Sequence, residues 1–293
     1  MNVLRAIVAS LAIVVLALSA QATSVGFGIE RTVRADTVTT LLTRAQVGER
    51  LSALLPELIT HGVNLPEGFS LSTEDVQQVL ASALPPDEIR AILAATGSEV
   101  VGYIRGERSD VSRIDIGPIV KRLEAAFQKL QPTSTGKQIA AAIEVQYRAS
   151  GLTKGVAVPT EQLAGAKTAF ARVARSTGAA FGLALAALAL IFAIAPHGLR
   201  GRLKYAATGL FIAGGLTLVV AFLAPAAPNA FALGALTSEA PAAMKDLVRD
   251  AALTLGSTLG SNVALGALLC LLLAVVCVVT NSILKRKLNI QNS

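Results

Sequence analysis

Four stretches of the chain carry no charged residue: Ala6 to Ile29, Ser176 to Leu199, Tyr205 to Ser238 and Ala251 to Leu284. Each holds enough consecutive uncharged positions for the ~20 apolar residues that cross a bilayer core. Only 15% of the 293 residues are charged and mean hydropathy is +0.60, whereas soluble domains carry nearer a quarter charged residues. The region between the first two stretches has ordinary soluble composition. The expected fold is therefore all-α: a four-span helical membrane protein with a helical-bundle extracytoplasmic domain between spans 1 and 2. Residues 1–26 form an N-terminal transmembrane anchor, 27–176 the extracytoplasmic domain, and 177–293 a three-span membrane domain with a short external loop at about 226–260.

The side of each segment is read from charge. A net charge of +7 and a pI of 9.7 would suggest nucleic acid, but the basic excess is local. The soluble region holds 17 Lys and Arg against 16 Asp and Glu, and the segment between spans 3 and 4 is slightly acidic. The excess lies in Arg5, then Arg200, Arg202 and Lys204, then Lys285, Arg286 and Lys287, with no acid among them. These seven are the topology-determining residues, because Lys and Arg beside spans are retained in the cytoplasm. Both termini are expected inside and the soluble domain outside the plasma membrane of a bacterium. A nucleic-acid partner is not expected, since the soluble part has no basic patch interleaved with aromatics.

The first span has two readings. Arg5, an apolar run and Ala20-Gln21-Ala22 fit a signal peptide with its cleavage site, while the length of the run favours a retained signal-anchor. Cys270 and Cys277 both fall in the last span, about 10 Å apart along a helix and too far to bond to each other. The soluble domain has no cysteine, so no disulfide framework holds it.

Within that domain the apolar periodicity is helical. One or two helices are expected from Asp36 to Leu58, bent near Pro56. Ser72 and Asp75 form a capping box, and Pro85-Pro86 opens a helix with Asp87 and Glu88 in its first turn. A polar break covers Gly106 to Asp110, Asp115 and Gly117 are cap candidates, and Pro118 starts the next helix. Gln131 to Gly136 reads as a turn, Ile139, Ile143 and Tyr147 continue the pattern, and Gly151 to Pro159 reads as a linker. Thr160 then opens a helix that runs into the second span.

The runs Leu84-Pro-Pro-Asp-Glu-Ile89, Val101-Gly-Tyr-Ile-Arg-Gly-Glu107 and Ile114-Asp-Ile-Gly-Pro-Ile-Val120 resemble an arrangement in uncharacterised bacterial multi-span membrane proteins. Those proteins place an N-terminal span, a helical extracytoplasmic domain and C-terminal spans in this order. The resemblance implies the architecture and no chemistry.

Catalytic signatures are not found. His61 and His197 are expected on opposite sides of the membrane, which rules out a shared metal or catalytic site within one chain. Gly136-Lys137 lacks the spacing of a phosphate loop, Gly26 and Gly28 lack a third glycine, and the Gly256 to Gly260 run is no nucleophile elbow. Glu107, Asp110 and Asp115 cluster near one turn, where loop and cap roles are favoured over a weak cation site. No cofactor is expected. The spans hold no ionisable side chain of the kind that ion-coupled transporters use. They hold small residues instead, with Gly214, Gly215, Gly256, Gly260 and Gly266 as candidates for close helix packing, within the chain or between copies in a homo-oligomer.

The expectation is a non-enzymatic integral membrane protein whose outer domain binds an unknown protein or surface ligand, or scaffolds an assembly, with the lipid bilayer as its other partner. The alternative is a transport-related subunit, since one span, a large outer domain and three spans is also the layout of mechanotransmission permeases paired with a cytoplasmic ATPase.

Overall fold

The computed structural model describes residues 2–62, 72–129, 133–158, 160–195, 198–226 and 242–291. Among them the helices are α1 (Asn2–Thr32), α2 (Ala35–Arg44), α3 (Val47–Gly62), α4 (Thr73–Ala83), α5 (Pro86–Ile104), α6 (Gly117–Phe127), α7 (Thr133–Ala149), α8 (Thr160–Ile194), α9 (Gly198–Leu223) and α10 (Ala242–Gln291). The described residues contain no strand, only an isolated bridge between Ile114 and Val156. The fold is all-α, and four helices, α1, α8, α9 and α10, are long and apolar enough to cross a bilayer.

The chain divides into two units. The bundle comprises Met1–Val33, Thr168–Phe231 and Leu255–Ser293; the inserted domain comprises Arg34–Lys167 and Ala232–Thr254. Two helices therefore contribute residues to both. The 50 residues of α10 extend about 75 Å, more than twice a bilayer core, so much of it must serve another purpose.

The bundle places small side chains inside and large ones outside. Ala9, Ala12, Ala184, Ala187, Ala206 and Ala274 are buried in one cluster with Leu16 and Ile191. Leu11, Phe181, Phe222, Leu272 and Val276 are exposed. Water would penalise such a surface, whereas lipid covers it without cost and small interior residues let the helix backbones approach.

The packing also fixes helix directions. Ser24 contacts Cys270 at 3.7 Å, and Asn262 Nδ2 donates to Thr32 Oγ1 at 2.9 Å, so α1 and α10 run antiparallel. A side chain at Gly209 would meet Leu16, and Ala213 clusters with Ala20, so α1 and α9 run parallel. Gly26 lies against Thr177 while Ile191 and Ala195 cluster with Ala9, so α8 is antiparallel to α1. The start of α1, the start of α9 and the end of α10 consequently share one end of the bundle. Arg200 Nη2 ties two of them together by donating to the Leu284 carbonyl at 2.9 Å.

The inserted domain is built around α4. Val76 and Leu80 face a core with Leu84, Ile89, Leu51 and Leu123, while Val79 faces a second core with Phe127, Ile139 and Ala140. Helical spacing of apolar residues on two faces of one helix makes this possible. The capping box is present: Ser72 Oγ accepts from Asp75 N–H at 3.1 Å and donates to Asp75 Oδ2 at 2.7 Å. Pro86 occupies the first turn of α5 with Asp87 and Glu88 beside it.

Two expected boundaries move. The break in the first amphipathic segment falls at Ala45 and Gln46, and Pro56 lies inside α3. Gln46 adopts φ 50°, a left-handed conformation with no glycine or asparagine to announce it. The turn expected up to Gly136 gives way to α7 from Thr133, because burial of Ile139 and Ala140 outweighs the ~1 kcal/mol helix cost of one glycine. Replacing Gln46 by glycine should relieve the left-handed strain and stabilise the domain by about 1 kcal/mol. Thermal denaturation checks this, and a lowered midpoint would show that the Gln46 side chain contributes more than its backbone costs.

Candidate functional site

A polar constellation among the described residues of the inserted domain surrounds the segment between α5 and α6. Gly106, at φ 76°, lets the chain turn back so that the N–H groups of Glu107 and Arg108 donate to the Gly102 carbonyl at 2.8 and 3.2 Å. Glu99 Oε2 accepts from Ser112 N–H at 2.8 Å, and its Oε1 lies 3.5 Å from Arg108 Nη1. Arg105 pairs with Glu107 at 2.5 Å. Lys167 sits 4.3 Å above the Tyr103 ring and donates to the Arg108 carbonyl at 3.4 Å. Ile114 and Val156 exchange backbone hydrogen bonds of 3.0 and 2.9 Å. The segment is thus fastened to α5, to the start of α8 and to the turn before it.

A cleft of about 210 Å³ opens here, with Ile92, Ala95 and Ile114 as its apolar wall and Glu99, Arg113 and Asp115 at its rim. The carboxylates are engaged in holding backbone. Asp110 Oδ1 accepts from Val111 N–H at 2.8 Å, and Asp115 Oδ1 accepts from Gly117 N–H at 2.9 Å, at the start of α6. Glu107 pairs with Arg105, Asp110 holds the loop, and Asp115 braces the turn before α6, whose N-cap is Ile116 with no side-chain cap bond, so neither Asp115 nor Gly117 is the cap expected of them. No group of three His, Cys, Asp or Glu among the described residues is placed to hold a metal ion. Arg113, exposed at the rim, makes no ion pair among the described residues. Such a cleft suits recognition of an acidic or hydrogen-bonding surface by Arg113 over an apolar patch.

A second feature is one that the sequence pattern alone did not anticipate. Residues 242–254, the start of α10, belong to the inserted domain. Leu247, buried on α10, packs with Ala45 and Val47, with Met244, Ala251, Leu42, Leu51 and Leu93 around them. Arg50 Nη1 reaches Asp250 Oδ2 at 2.5 Å across the same contact. Met244, Leu247 and Ala251, spaced three and four apart, were the available signal.

The packing glycines divide by environment. A side chain at Gly214 would strike Leu271 and Ala267, at Gly256 the backbone of Pro225, at Gly260 the carbonyl of Ala221, and at Gly266 the backbone and side chain of Ser24. Gly215 has nothing within 4 Å. Gly26 and Gly28, which resembled the start of a nucleotide motif, are close-approach glycines against Thr177 and Val263. Of the topology-determining residues, Arg5, Arg200, Arg202, Lys204 and Lys285 lie at the shared end of the bundle, and Arg286 and Lys287 follow on α10. His61 lies on α3, and its side chain is outside the described residues, as is His197.

Comparison of the chain with protein-family models, with curated proteins and with solved structures found no match.

Proposed function

We propose that the chain is a non-enzymatic membrane protein of the bacterial plasma membrane, with both termini in the cytoplasm and an extracytoplasmic inserted domain that binds a partner or scaffolds a surface assembly. The observation that carries the reading is the one-sided charge of the bundle. Arg5, the Arg200 to Lys204 group and Lys285 to Lys287 meet at one end, where the bundle's sequence offers no carboxylate. Lysine and arginine are retained inside, so that end is cytoplasmic and the chain leaving the far ends of α1 and α9 is extracytoplasmic.

A retained first span fits the packing. Ala9 and Leu16 are buried before the Ala20-Gln21-Ala22 site, Ala20 within it and Ser24 after it, all on one unbroken helix. Cleavage there would strip the bundle of the helix that α9 and α10 both pack against. Recognition by the inserted domain is supported by its carboxylates: Glu49, Glu88, Glu99, Glu107, Glu144 and Asp250 all pair with arginines. Each of these carboxylates is engaged by an arginine of the inserted domain itself, as in a packed scaffold.

The permease reading gains one specific observation, because α8 and α10 are unbroken helices with residues in both units. Purification of the intact chain after crosslinking in cells separates the two. Recovery of an extracytoplasmic partner, lost when Arg113 is replaced by glutamate, is the expected result. A stoichiometric ATPase, with ATP hydrolysis that depends on this chain, would replace the first reading by the second.

A further inference from the structure

At the end of the bundle where α1 and α9 begin, two arginines lie on facing helix surfaces with no carboxylate between them. Arg202, Ala206, Gly209 and Ala213 follow one another at intervals of four, three and four along α9, and Arg5, Ala9, Ala12 and Leu16 do the same along α1. Each set is a stripe on one helix face. The stripes meet: Ala206 clusters with Ala9, Ala12 and Leu16, a side chain at Gly209 would touch Leu16, and Ala213 clusters with Ala20. The two helices run parallel, so counting back from these contacts sets Arg202 within about 5 Å of Arg5 along the axis. Side chains lean toward the start of their own helix, and both arginines therefore reach out at the same end.

Neither finds a counter-charge. Arg202 Nε–H is buried without an acceptor, and its side chain makes no hydrogen bond or ion pair among the described residues. Arg200 also buries its Nε–H, but it gives Nη2 to the Leu284 carbonyl. Arg5 is exposed and makes no ion pair among the described residues. The one carboxylate side chain in the bundle's sequence is Glu30, toward the far end of α1. A guanidinium partly stripped of water and set near a like charge is costly until an anion reaches both.

The lipid-facing surface stops at the same level. Ile7, Leu199 and Ile283 are each more than half exposed, and each lies within two residues of Arg5, Arg200 or Lys285. Acyl chains cover such residues, and lipid phosphates lie where that cover ends. A soluble anion matches the charge alone, whereas a phospholipid matches the charge and the apolar surface below it.

We propose that one anionic phospholipid of the leaflet at this end binds with its phosphate between Arg5 and Arg202, its acyl chains lying on the exposed apolar surface of the bundle. The fork of Arg202 engages phosphate oxygens and Arg5 supplies the second cation. Lys204, rotated about 200° from Arg202 around α9, faces away from α1 and takes no part. The binding is non-covalent, and it holds whichever side of the membrane this end faces.

The test uses the full-length chain in nanodiscs of equal phosphatidylglycerol and phosphatidylcholine, with native mass spectrometry of the lipid retained on release. One retained phosphatidylglycerol, preferred over phosphatidylcholine by roughly tenfold or more, is the expectation for two charge-assisted contacts. Arg202→Gln and Arg5→Gln should each remove most of that preference, and Arg202→Lys, which keeps the charge and loses the fork, should fall between. Lys204→Gln takes the same charge from the same end and should leave the preference within about twofold of the wild type. If Arg202→Gln fails to fold, Arg5→Gln, at an exposed position, carries the comparison with Lys204→Gln. An equal loss in Lys204→Gln and the arginine variants would overturn the proposal, because it would leave only the general attraction of an anionic bilayer to a basic surface. Equal retention of both lipids by the wild type would overturn it as well. So would displacement of the lipid by inorganic phosphate alone, which would assign the two arginines to a free anion.

Discussion

Replacing Leu247 by alanine should destabilise the inserted domain by about 2–4 kcal/mol, the usual cost of emptying a well-packed leucine site. Leu247 is 5% exposed and packs on Ala45 and Val47, which lie far away in the sequence. With domain stabilities of about 5–15 kcal/mol, that loss is a substantial share of the total. Leu247→Asp should cost more, because it buries a carboxylate among apolar neighbours. Limited proteolysis of the intact protein would then open the α2–α3 region before the bundle. Arg249→Gln, exposed on the same helix, should change stability by less than about 0.5 kcal/mol. The segment 30–175 expressed alone should be helical by circular dichroism yet less stable than the domain in the intact chain. A peptide of residues 242–254 should raise its melting temperature. If Leu247→Ala and Arg249→Gln behave alike, α10 is not part of the domain's core.

The second large effect belongs to the bundle. Gly28→Leu should abolish correct packing of α1 on α10, because a side-chain carbon there would lie 2.5 Å from Val263 Cγ2 and 3.0 Å from the Val263 backbone. A side-chain tip can rotate away; a backbone cannot, so the helices must separate. Overpacking of this kind costs about 1–3 kcal/mol or more, and the bond from Asn262 to Thr32, one turn along, would be lost with it. Gly182→Leu is the matched control, since nothing lies within 4 Å of Gly182. Thermal stability in detergent should fall sharply for the first and hold for the second. Equal stability of the two would mean that α1 and α10 do not meet at Gly28.

The spans were legible because a run of about twenty uncharged, mostly apolar residues is rare outside a bilayer. Ser72 with Asp75, and Pro85 with Pro86, announced their helix starts through local chemistry that tertiary structure had no reason to override. Gln46 was not legible: a left-handed glutamine carries no turn signal, and the break it makes reflects how α2 and α3 both reach the core. Small residues in the spans were readable as packing residues, but not which of them touch. Gly214 and Gly215 are neighbours in sequence, yet a rotation of about 100° puts one against Leu271 and leaves the other open. The integration of residues 242–254 into the inserted domain is a long-range pairing. Its spacing of apolar residues was visible, and its partner was not. At the cleft, Asp110 was readable as a loop residue from position alone, whereas the shift of the α6 cap from Asp115 to Ile116 and the contact of Glu99 with Ser112 required the fold.

Cysteine accessibility in intact cells tests the central claim most directly. With Cys270 and Cys277 replaced by alanine, single cysteines are placed at Lys137, exposed on α7, and at Asn292, and probed with a membrane-impermeant thiol reagent. The one-sided charge of the bundle predicts that Lys137→Cys reacts in intact cells and that Asn292→Cys reacts only after the membrane is opened. Labelling of Asn292→Cys but not Lys137→Cys in intact cells would invert the topology and contradict the assignment of the inserted domain to the outside.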